Sequence, residues 1–355
     1  MDTSKLKPND PRVKYETAVV RGKTYSYILG EPQGPKRDTV LLVHGFPDMA
    51  FGWRHQIPYL MSLGFQVVAP NLLGYPGTDA PRDLSHYTLR SVAADLAELM
   101  SARFVGAGGQ IVLGGHDWGG ALIWRMALWH PRLVKAVFAL CTPMLSIPRE
   151  YVDLETLVES GALANFRYQL QFGGPVLQDH FQTREDLRRF FRVLYGGTVP
   201  GTAPPAGCLG PEGVMLEESF KLVGAPRLLD ADELEHYAAR YAERSAECGG
   251  EGDPLRGPLS WYRTRRLNFD DDVELLEALG GAQPRFAMPA LFVAASRDRA
   301  LPPAMAAGME RFFDDLKRDE IDATHFVLTE EPDKTNASLG RWLDGLYHGE
   351  LKASL

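Results

Sequence analysis

The sequence contains little cysteine, and its three cysteines stand far apart. Cys141, Cys208 and Cys248 form no closely spaced pair of the kind that binds zinc. This scattered, odd-numbered set also argues against a disulfide framework, which is typical of small secreted domains. The first ten residues have no apolar segment like that of a secretory signal peptide. We therefore expect a protein of a reducing, cytoplasmic compartment.

Positive charge and long apolar runs are scarce as well. The chain has 38 Lys and Arg against 46 Asp and Glu, which gives a formal net charge of −8. This balance argues against the basic surface on which nucleic-acid binding depends. No apolar run approaches the roughly 20 residues that cross a bilayer as a helix. We expect neither a nucleic-acid partner nor a membrane span, and the oligomeric state stays open.

The remaining composition is that of an ordinary globular protein. The chain has 355 residues, 45% of them hydrophobic and 24% charged, which suits one large domain or two. Val13–Val20 and Thr24–Leu29 alternate roughly between polar and apolar residues and predict an antiparallel hairpin at a sheet edge. Later apolar runs are continuous, which is typical of parallel strands covered on both faces. These runs are Thr39–Val43, Phe65–Ala69, Gln110–Leu113, Val134–Leu140 and Pro289–Ala294.

Helical patterns alternate with these runs. They cover Trp53–Leu63, Leu89–Ala102 and Gly119–His130, and the last stops before Pro131. Alternating strands and helices predict an α/β fold with helices on both faces of the sheet. Right-handed crossovers then bring the functional turns to the carboxyl ends of the strands.

The alternation stops after about Pro143 and resumes at Pro289. The intervening segment reads as helices, which are Glu150–Glu159, Leu163–Phe172, Arg184–Tyr195, Ala231–Arg244 and Ser260–Arg266. Two stretches rich in Gly and Pro, Gly197–Gly213 and Gly249–Pro258, are expected to be loops. We predict a core formed by residues 1–143 and 286–355, with a helical lid at 144–285 over the strand ends. The chain should end with a helix at Pro302–Leu316, a strand near Glu320–Asp322 and a helix at Thr335–Tyr347.

A glycine-flanked turn follows the third continuous run. Its sequence, Gly114-Gly-His-Asp-Trp-Gly-Gly120, has the G-x-nucleophile-x-G pattern of a nucleophile elbow, with Asp117 at the central position. A glycine-flanked Asp by itself is more often a turn residue or a helix cap. Here the strand before it and the helix after it favour a nucleophile, and the helix N-terminus stabilises the carboxylate. Such a carboxylate can attack carbon and form an alkyl-enzyme ester.

A base and an acid should follow the nucleophile along the chain. His325 comes just after the last predicted strand, and Asp298 lies four residues beyond the run that ends at Ala294. This is the order nucleophile, acid, histidine of α/β-hydrolases. The other position for an acid, after Val134–Leu140, holds Cys141-Thr-Pro and no carboxylate. Asp322 is too near His325 in sequence to orient it across the site.

The loop after the first core strand supplies candidate hydrogen-bond donors. Backbone N–H groups of Phe46 and Trp118 are expected to form an oxyanion hole. A cis bond between Phe46 and Pro47 is a hypothesis for this loop. We interpret His44 and His116 as residues that support loops rather than react.

These motifs together resemble those of the α/β-hydrolase-fold epoxide hydrolases of the soluble type. The resemblance rests on His44-Gly-Phe-Pro-Asp48, on Gly115-His-Asp-Trp-Gly119, and on Asp298 and His325. The segment Val67–Pro81 is also similar to a loop of that family, although Asn71 stands where the family usually has Asp. The resemblance implies an α/β-hydrolase fold, with a mostly parallel eight-stranded sheet flanked by helices and an inserted all-helical lid.

The resemblance also implies two lid tyrosines that hold the epoxide oxygen. Tyr168-Gln-Leu-Gln-Phe172 and Trp261-Tyr-Arg263 match the two segments of the family that carry them. Ring opening releases an alkoxide, and a phenol of pKa about 10 is protonated at neutral pH and can donate to it. Tyr168 and Tyr262 are therefore the expected donors.

The resulting hypothesis is hydrolysis of a small apolar epoxide by water to a vicinal diol, without a metal or an organic cofactor. Asp117 forms the covalent hydroxyalkyl ester, and His325, oriented by Asp298, activates the water that hydrolyses it. A haloalkane or haloacid dehalogenase would use the same triad, but that alternative leaves the paired tyrosines unexplained. A non-catalytic ligand receptor with this fold is the alternative from another class.

Overall fold

The fold is built on one eight-stranded sheet. The computed structural model describes residues 1–197, 224–247 and 253–353. The strands run in the order β1-β2-β4-β3-β5-β6-β7-β8, and all pairs are parallel except β1 with β2 and β2 with β4. This confirms the expected mostly parallel sheet. The strands are β1 (Lys14–Val20), β2 (Lys23–Gly30), β3 (Asp38–Val43), β4 (Phe65–Pro70), β5 (Ile111–His116), β6 (Val134–Leu140), β7 (Ala290–Ala295) and β8 (Leu316–Ile321).

The central strands have buried side chains, and the edge strand β8 is exposed. Every residue of β5 and β7 is buried, as continuous apolar runs predict for strands covered on both faces. The edge strand β8 has the sequence LKRDEI and is largely exposed, and its charges discourage pairing with another edge. The parallel pairs end level with one another, for example Val43 with Gly115 and His116 with Leu140. The carboxyl ends of the central strands therefore share one edge of the sheet.

The helices flank the sheet or form a separate group. They are α1 (Gln56–Ser62), α2 (Leu89–Met100), α3 (Trp118–Trp129), α4 (Leu154–Glu159), α5 (Arg167–Gly173), α6 (Val176–His180), α7 (Arg184–Leu194), α8 (Ala231–Glu247), α9 (Arg256–Ser260), α10 (Arg265–Ala278), α11 (Val327–Glu330) and α12 (Pro332–Ala353). Among the described residues, no helix is both long enough and apolar enough to cross a membrane.

One prediction near the chain end is wrong. Pro302–Leu316 does not form a helix but two short 3-10 turns, Pro303–Ala306 and Met309–Phe312, separated by Gly308 with φ +70°. The main chain after the second turn is hydrogen-bonded to Phe286. The N–H of Phe286 donates to the carbonyl of Phe312 at 2.7 Å, and the carbonyl of Phe286 accepts from the N–H of Asp314 at 3.0 Å. This pairing holds the backbone extended, and it leads directly into β8, which begins earlier than predicted.

Contacts divide the chain into two compact units. The first comprises Met1–Leu72, Thr88–Arg149 and Asn268–Leu355 and contains the sheet; the second comprises Leu73–Tyr87 and Glu150–Leu267. In the second unit, the described residues form helices and no strand. The sequence-based boundaries of a lid at 144–285 stay a prediction. Most of the two predicted loops lies outside the described residues, at positions 198–213 and 249–252, although the end of the second forms part of α9.

The second unit has an aromatic interior where α7 packs on α8. Helix α7 begins with a capping box formed by Thr183 and Asp186. Phe191 is fully buried and contacts Tyr237 and Tyr241, with ring centroids 5.3 and 5.0 Å apart. Such edge-to-face and tilted contacts add to the stabilisation that comes from burial itself. This unit therefore has a core of its own.

Candidate active site

The turn between β5 and α3 carries Asp117 in a strained conformation. Its φ of 53° and ψ of −123° lie outside the regions that a side chain normally adopts. The close packing of this turn requires glycine nearby, because a Cβ on Gly119 would lie 2.0 Å from the carbonyl oxygen of Val43. A Cβ on Gly45 would lie 2.3 Å from Oδ1 of Asp117. The sequence thus forms an elbow that presents a carboxylate beside the loop after β3.

The two oxygens of this carboxylate have different neighbours. Oδ1 of Asp117 accepts a 2.8 Å hydrogen bond from the backbone N–H of Phe46. Oδ2 faces Nε2 of His325 at 3.5 Å. The peptide bond between Phe46 and Pro47 is cis, which confirms the hypothesis. Trp118 is the first residue of α3, where backbone N–H groups have no acceptor within the helix.

Asp298 lies on the other side of the His325 ring. Its Oδ2 accepts from Nδ1 of His325 at 2.7 Å, and its Oδ1 accepts from the N–H groups of Ala300 and Leu301 at 2.8 and 2.9 Å. Asp298 is therefore a turn residue and the partner of the histidine at once. Asp322, which sequence reasoning rejected for this role, instead pairs with the exposed Arg297 at 2.7 Å. The structure thus brings Asp117, His325 and Asp298 together.

Electrostatics favour the ionised forms of His325, Asp117 and Asp298. Burial would lower the pKa of His325, but the charges and hydrogen bonds of Asp298 and Asp117 outweigh burial and raise this pKa to about 10. Burial acts to raise the pKa of Asp117, and the neighbouring His325 overcomes it, so that the pKa falls below its usual value. The pKa of Asp298 is lowered against burial in the same way. At neutral pH an imidazolium therefore stands between two carboxylates.

The two other buried histidines support loops, as their positions suggested. His44 donates from Nδ1 to the carbonyl of Gly45 at 2.8 Å and accepts at Nε2 from the N–H of Leu72 at 3.0 Å. Burial lowers its pKa to about 4, so it stays neutral. His116 donates from Nε2 to the carbonyl oxygen of His325 at 2.8 Å.

Two residues after β6 were overlooked in the sequence because they were considered only as places for an acid. The hydroxyl of Thr142 donates to the carbonyl oxygen of Asp117 at 2.8 Å. The thiol of Cys141 lies 3.5 Å from the carbonyl oxygen of His325. The signal that could have found them is register, because His116 pairs with Leu140 and the residues that follow must lie beside the elbow.

A metal ion has one candidate set of ligands among the described residues. One ligand atom each from His116, Cys141 and His325 lies within 4.8 Å of the others. However, the thiol is directed at a carbonyl oxygen, Nδ1 of His325 is bonded to Asp298, and Nε2 of His325 faces Asp117. A cation would have to break these bonds, so the donor set fits a hydrogen-bond network better than a metal centre.

The two predicted tyrosines lie together within the second unit. The rings of Tyr168 and Tyr262 are 6.4 Å apart at 75°, and both contact Phe172, at 5.2 and 5.1 Å. Tyr168 lies on α5, and its hydroxyl accepts from the side-chain amide of Gln169 at 3.3 Å. The segment that carries Tyr262 is tied to α5 by Arg263, whose Nε donates to the carbonyl of Gly173 at 3.0 Å. Two local segments far apart in sequence thus bring both phenols to one place.

Asn71, where this sequence departs from the family pattern, uses both ends of its amide. Its Oδ1 accepts from the N–H of Ala50 at 2.8 Å, and its Nδ2 donates to the hydroxyl of Ser26 at 2.8 Å. Asn71 therefore supports the loop after β4, and its side chain bonds to Ala50 and Ser26.

Comparison with known proteins agrees with this geometry. Residues 38–189 match the family model described as alpha/beta hydrolase fold. The chain is 34% identical over 354 residues to an epoxide hydrolase of Neurospora crassa. This match covers 97% of this chain and 99% of that protein. It is 33% identical over 322 residues to epoxide hydrolase A of Mycobacterium tuberculosis, and this match covers 89% of this chain and 92% of that protein. The crystal structure of epoxide hydrolase A from Mycobacterium thermoresistibile has a TM-score of 0.74 at 29% identity, covering 94% of this chain and 98% of that one. These similarities confirm the resemblance seen in the motifs, and the chain belongs to the epoxide hydrolases, enzymes of the α/β-hydrolase fold.

Proposed function

We propose that this enzyme converts a small apolar epoxide to a vicinal diol through a covalent ester on Asp117. The observation that carries the proposal is that the two oxygens of that carboxylate have different neighbours. Oδ1 is bonded to the N–H of Phe46, and Oδ2 lies beside His325. A carboxylate held in this way has one oxygen free to attack carbon and one oxygen already at a site for an oxyanion.

In the first half-reaction, Oδ2 of Asp117 attacks one carbon of the epoxide, and the bond between that carbon and the ring oxygen breaks. The leaving oxygen becomes an alkoxide, which is a poor leaving group without a proton or a hydrogen bond. Tyr168 and Tyr262 are the proposed donors, because phenols are protonated at neutral pH. The alkoxide takes the proton of one tyrosine, the tyrosinate regains a proton from solvent, and His325 releases its proton to solvent. The product is a hydroxyalkyl ester of Asp117 beside a neutral His325.

In the second half-reaction, His325 takes a proton from water, and the resulting hydroxide attacks Cγ of Asp117. The negative charge develops on Oδ1, where the N–H of Phe46 and the proposed second donor, the N–H of Trp118, stabilise it. Collapse of this intermediate breaks the bond between Cγ and Oδ2. The diol leaves with the original Oδ2 atom and receives the proton held by His325. The carboxylic acid that remains at Asp117 then gives its proton to His325, which restores the carboxylate and the imidazolium of the free enzyme.

The state of His325 changes between the two halves. In the free enzyme its pKa of about 10 keeps it protonated at neutral pH. Formation of the ester removes the negative charge of Asp117, which is one of the groups that raise this pKa. The histidine therefore becomes a better base at the stage where a base is needed. Asp298 keeps its charge throughout and orients the ring.

The proposal is tested with styrene oxide and the His325→Gln variant. This variant should form the ester and fail to hydrolyse it, so that mass spectrometry finds the mass of the intact epoxide added to Asp117. A single turnover of the wild type in heavy-oxygen water should label the Asp117 carboxylate. Label in the diol with an unlabelled enzyme would contradict the covalent route.

Analysis of the products that the wild type forms from several substrates separates the rival activities. Release of halide from a chlorinated alkane, with no diol from styrene oxide, would indicate a dehalogenase that uses the same triad. Tight binding of epoxides without turnover across styrene, aliphatic and fatty-acid substrates would indicate a receptor. The diol should be the product that is found.

A further inference from the structure

We propose that His116 is a positioning residue for the catalytic base, and that it acts with Cys141 and Thr142 as a carbonyl clamp. By carbonyl clamp we mean the three side chains that donate to the main-chain oxygens of His325 and Asp117. This inference rests on the proposed function, because it assigns the clamp to the step in which His325 activates water. It adds a second means of holding the base to the one that Asp298 provides.

The geometry begins with the residue that precedes the nucleophile. His116 is the last residue of β5, and its Nε2 is 2.8 Å from the carbonyl oxygen of His325. The two imidazole rings lie 4.8 Å apart at 43°. The nucleophile and the base, separated by more than 200 positions in sequence, are thus joined by one hydrogen bond from the neighbour of the first to the backbone of the second.

The chemistry of the acceptor assigns the proton of His116. A carbonyl oxygen only accepts, so Nε2 must carry hydrogen and Nδ1 must present a lone pair. That Nδ1 atom is buried and has no hydrogen-bond partner among the described residues. Burial, together with the nearby His325, lowers the pKa of His116 to about 4, so the ring stays neutral through the physiological range.

An unpaired buried acceptor is a net cost to folding. A phenylalanine or leucine would fill this space without that cost, so the imidazole is poorly explained by packing alone. Among the residues that the structure describes, the hydrogen bond to His325 is the short polar contact of this ring that an apolar residue could not replace. We therefore assign His116 to the position of the base rather than to the stability of the core.

The turn after β6 supplies the other two donors. Cys141 has φ +66°, and its thiol lies 3.5 Å from the carbonyl oxygen of His325. The hydroxyl of Thr142 is 2.8 Å from the carbonyl oxygen of Asp117. A strained backbone at this turn thus places two adjacent side chains on the main chains of the base and the nucleophile.

The consequence concerns the water that the base must activate. Asp298 fixes one edge of the His325 ring, and the main chain just before His325 is held through the carbonyl of Ala323 and the N–H of Thr324. The main-chain oxygen of His325 itself is held by the clamp. Displacements of about 1 Å can cost on the order of a hundredfold in rate when reacting groups must align. The clamp restrains the main chain, so the ring is held from both ends.

The experiment compares three substitutions of His116. Glutamine can place an amide N–H near the position of Nε2, asparagine reaches only the position of Nδ1, and leucine has no donor. Ester formation and ester hydrolysis are measured separately with styrene oxide, by rapid quenching and mass spectrometry of the whole protein. Each rate is divided by the number of sites that become alkylated, so that unfolded protein in a variant does not lower the measured rate.

We expect His116→Asn and His116→Leu to slow ester hydrolysis by about tenfold or more, as the loss of one hydrogen bond predicts. Ester formation should change much less, and the ester should accumulate. His116→Gln should restore most of the hydrolysis rate. In the leucine variant the pH at which hydrolysis reaches half its maximum should also move, since the contact of His325 with Asp298 is altered.

Equal slowing of both steps, or unchanged hydrolysis in folded asparagine and leucine variants, would overturn the assignment. Where these variants do not fold, the wild-type enzyme still provides a test. Nitrogen NMR of His116 should show a neutral ring protonated at Nε2, and a proton at Nδ1 would contradict the clamp. If the wild type forms no ester from styrene oxide, the proposed function has failed, and the NMR result still decides the hydrogen bond.

Discussion

Nε2 of His325 lies 3.5 Å from Oδ2 of Asp117, whereas its Nδ1 lies 2.7 Å from Oδ2 of Asp298. The short contact has the length of a charge-assisted hydrogen bond, and the long contact exceeds it. His325 is therefore bound firmly to one carboxylate and loosely to the other. In the proposed reaction the loosely held carboxylate is the one that must leave its partner and attack carbon.

The pH dependence of ester hydrolysis should reflect the titration of His325. The step requires neutral imidazole, so its rate should rise with pH and level off. Because the ester lacks the charge of Asp117, the midpoint should lie below the value of about 10 found for the free enzyme. Stopped-flow measurement of ester decay between pH 5 and 11 tests this, and a midpoint at about 10 or above would contradict it.

Asp298→Asn should slow ester hydrolysis by roughly a hundredfold to ten-thousandfold, as the loss of an orienting carboxylate does in related triads. The single amide oxygen cannot accept from the turn N–H groups of Ala300 and Leu301 and also from Nδ1 of His325. Either the turn or the base loses its partner. Asp322→Asn is the matched control, since that side chain pairs with an exposed arginine, and its hydrolysis rate should match the wild type.

Gly45→Ala should abolish both half-reactions. The new methyl group would lie 2.3 Å from Oδ1 of Asp117, so the carboxylate must move away from the N–H of Phe46. Gly345→Ala in α12 meets nothing within 4 Å. It should keep full activity and stabilise the helix by about 0.5–1 kcal/mol. Circular dichroism verifies that Gly45→Ala is folded, and an active folded variant would refute the close approach.

Tyr168→Phe and Tyr262→Phe should each slow ester formation and leave ester hydrolysis unchanged. Loss of a proton donor at a leaving group costs on the order of a hundredfold or more, and the double variant should be slower than either single one. Tyr15→Phe on the exposed strand β1 serves as the control. Rapid-quench measurement of the adduct provides the rates, and slowed decay of the ester in these variants would argue against the assigned role.

The stability of the free enzyme should fall as pH rises from about 6.5 towards 10. The native state holds a proton on His325 that the unfolded state, with its ordinary pKa near 6.5, has already released. The stabilisation from this group is complete below the unfolded pKa and disappears as pH passes the folded value. Asp298→Asn should flatten this dependence, which urea unfolding at several pH values can measure. A profile equally steep in both proteins would assign the effect to other groups.

The central strands, and the places of three polar residues just after strand ends, were predictable because the information is local. Continuous apolar runs identified the central strands, and Asp117, Asp298 and His325 each follow a strand at the shared carboxyl edge. The helix predicted at Pro302–Leu316 failed because a distant residue decided the outcome. Phe286 pairs with the backbone around Phe313, and no pattern within the segment records that contact.

The site shows the same division between local and distant information. The position of the Phe46 N–H beside Asp117 could be anticipated from the loop motif, and it donates to Oδ1 at 2.8 Å; its role as an oxyanion donor stays a prediction. The contacts of Cys141 and Thr142 could be anticipated only with the register of β6 against β5, which residue types alone do not give. The 3.5 Å separation of His325 from Asp117 is likewise a property of packing, which residue types do not encode.

The unequal environment of the two Asp117 oxygens has a consequence for the atoms themselves. If Oδ1 stays on the N–H of Phe46 and the water enters on the side of His325, each new oxygen takes the place that the previous one left. One oxygen of the side chain would then be permanent, and the other would be replaced in every catalytic cycle. After many cycles in heavy-oxygen water the enzyme should hold a single heavy atom, and from the second cycle onward each diol should carry away the one installed before it.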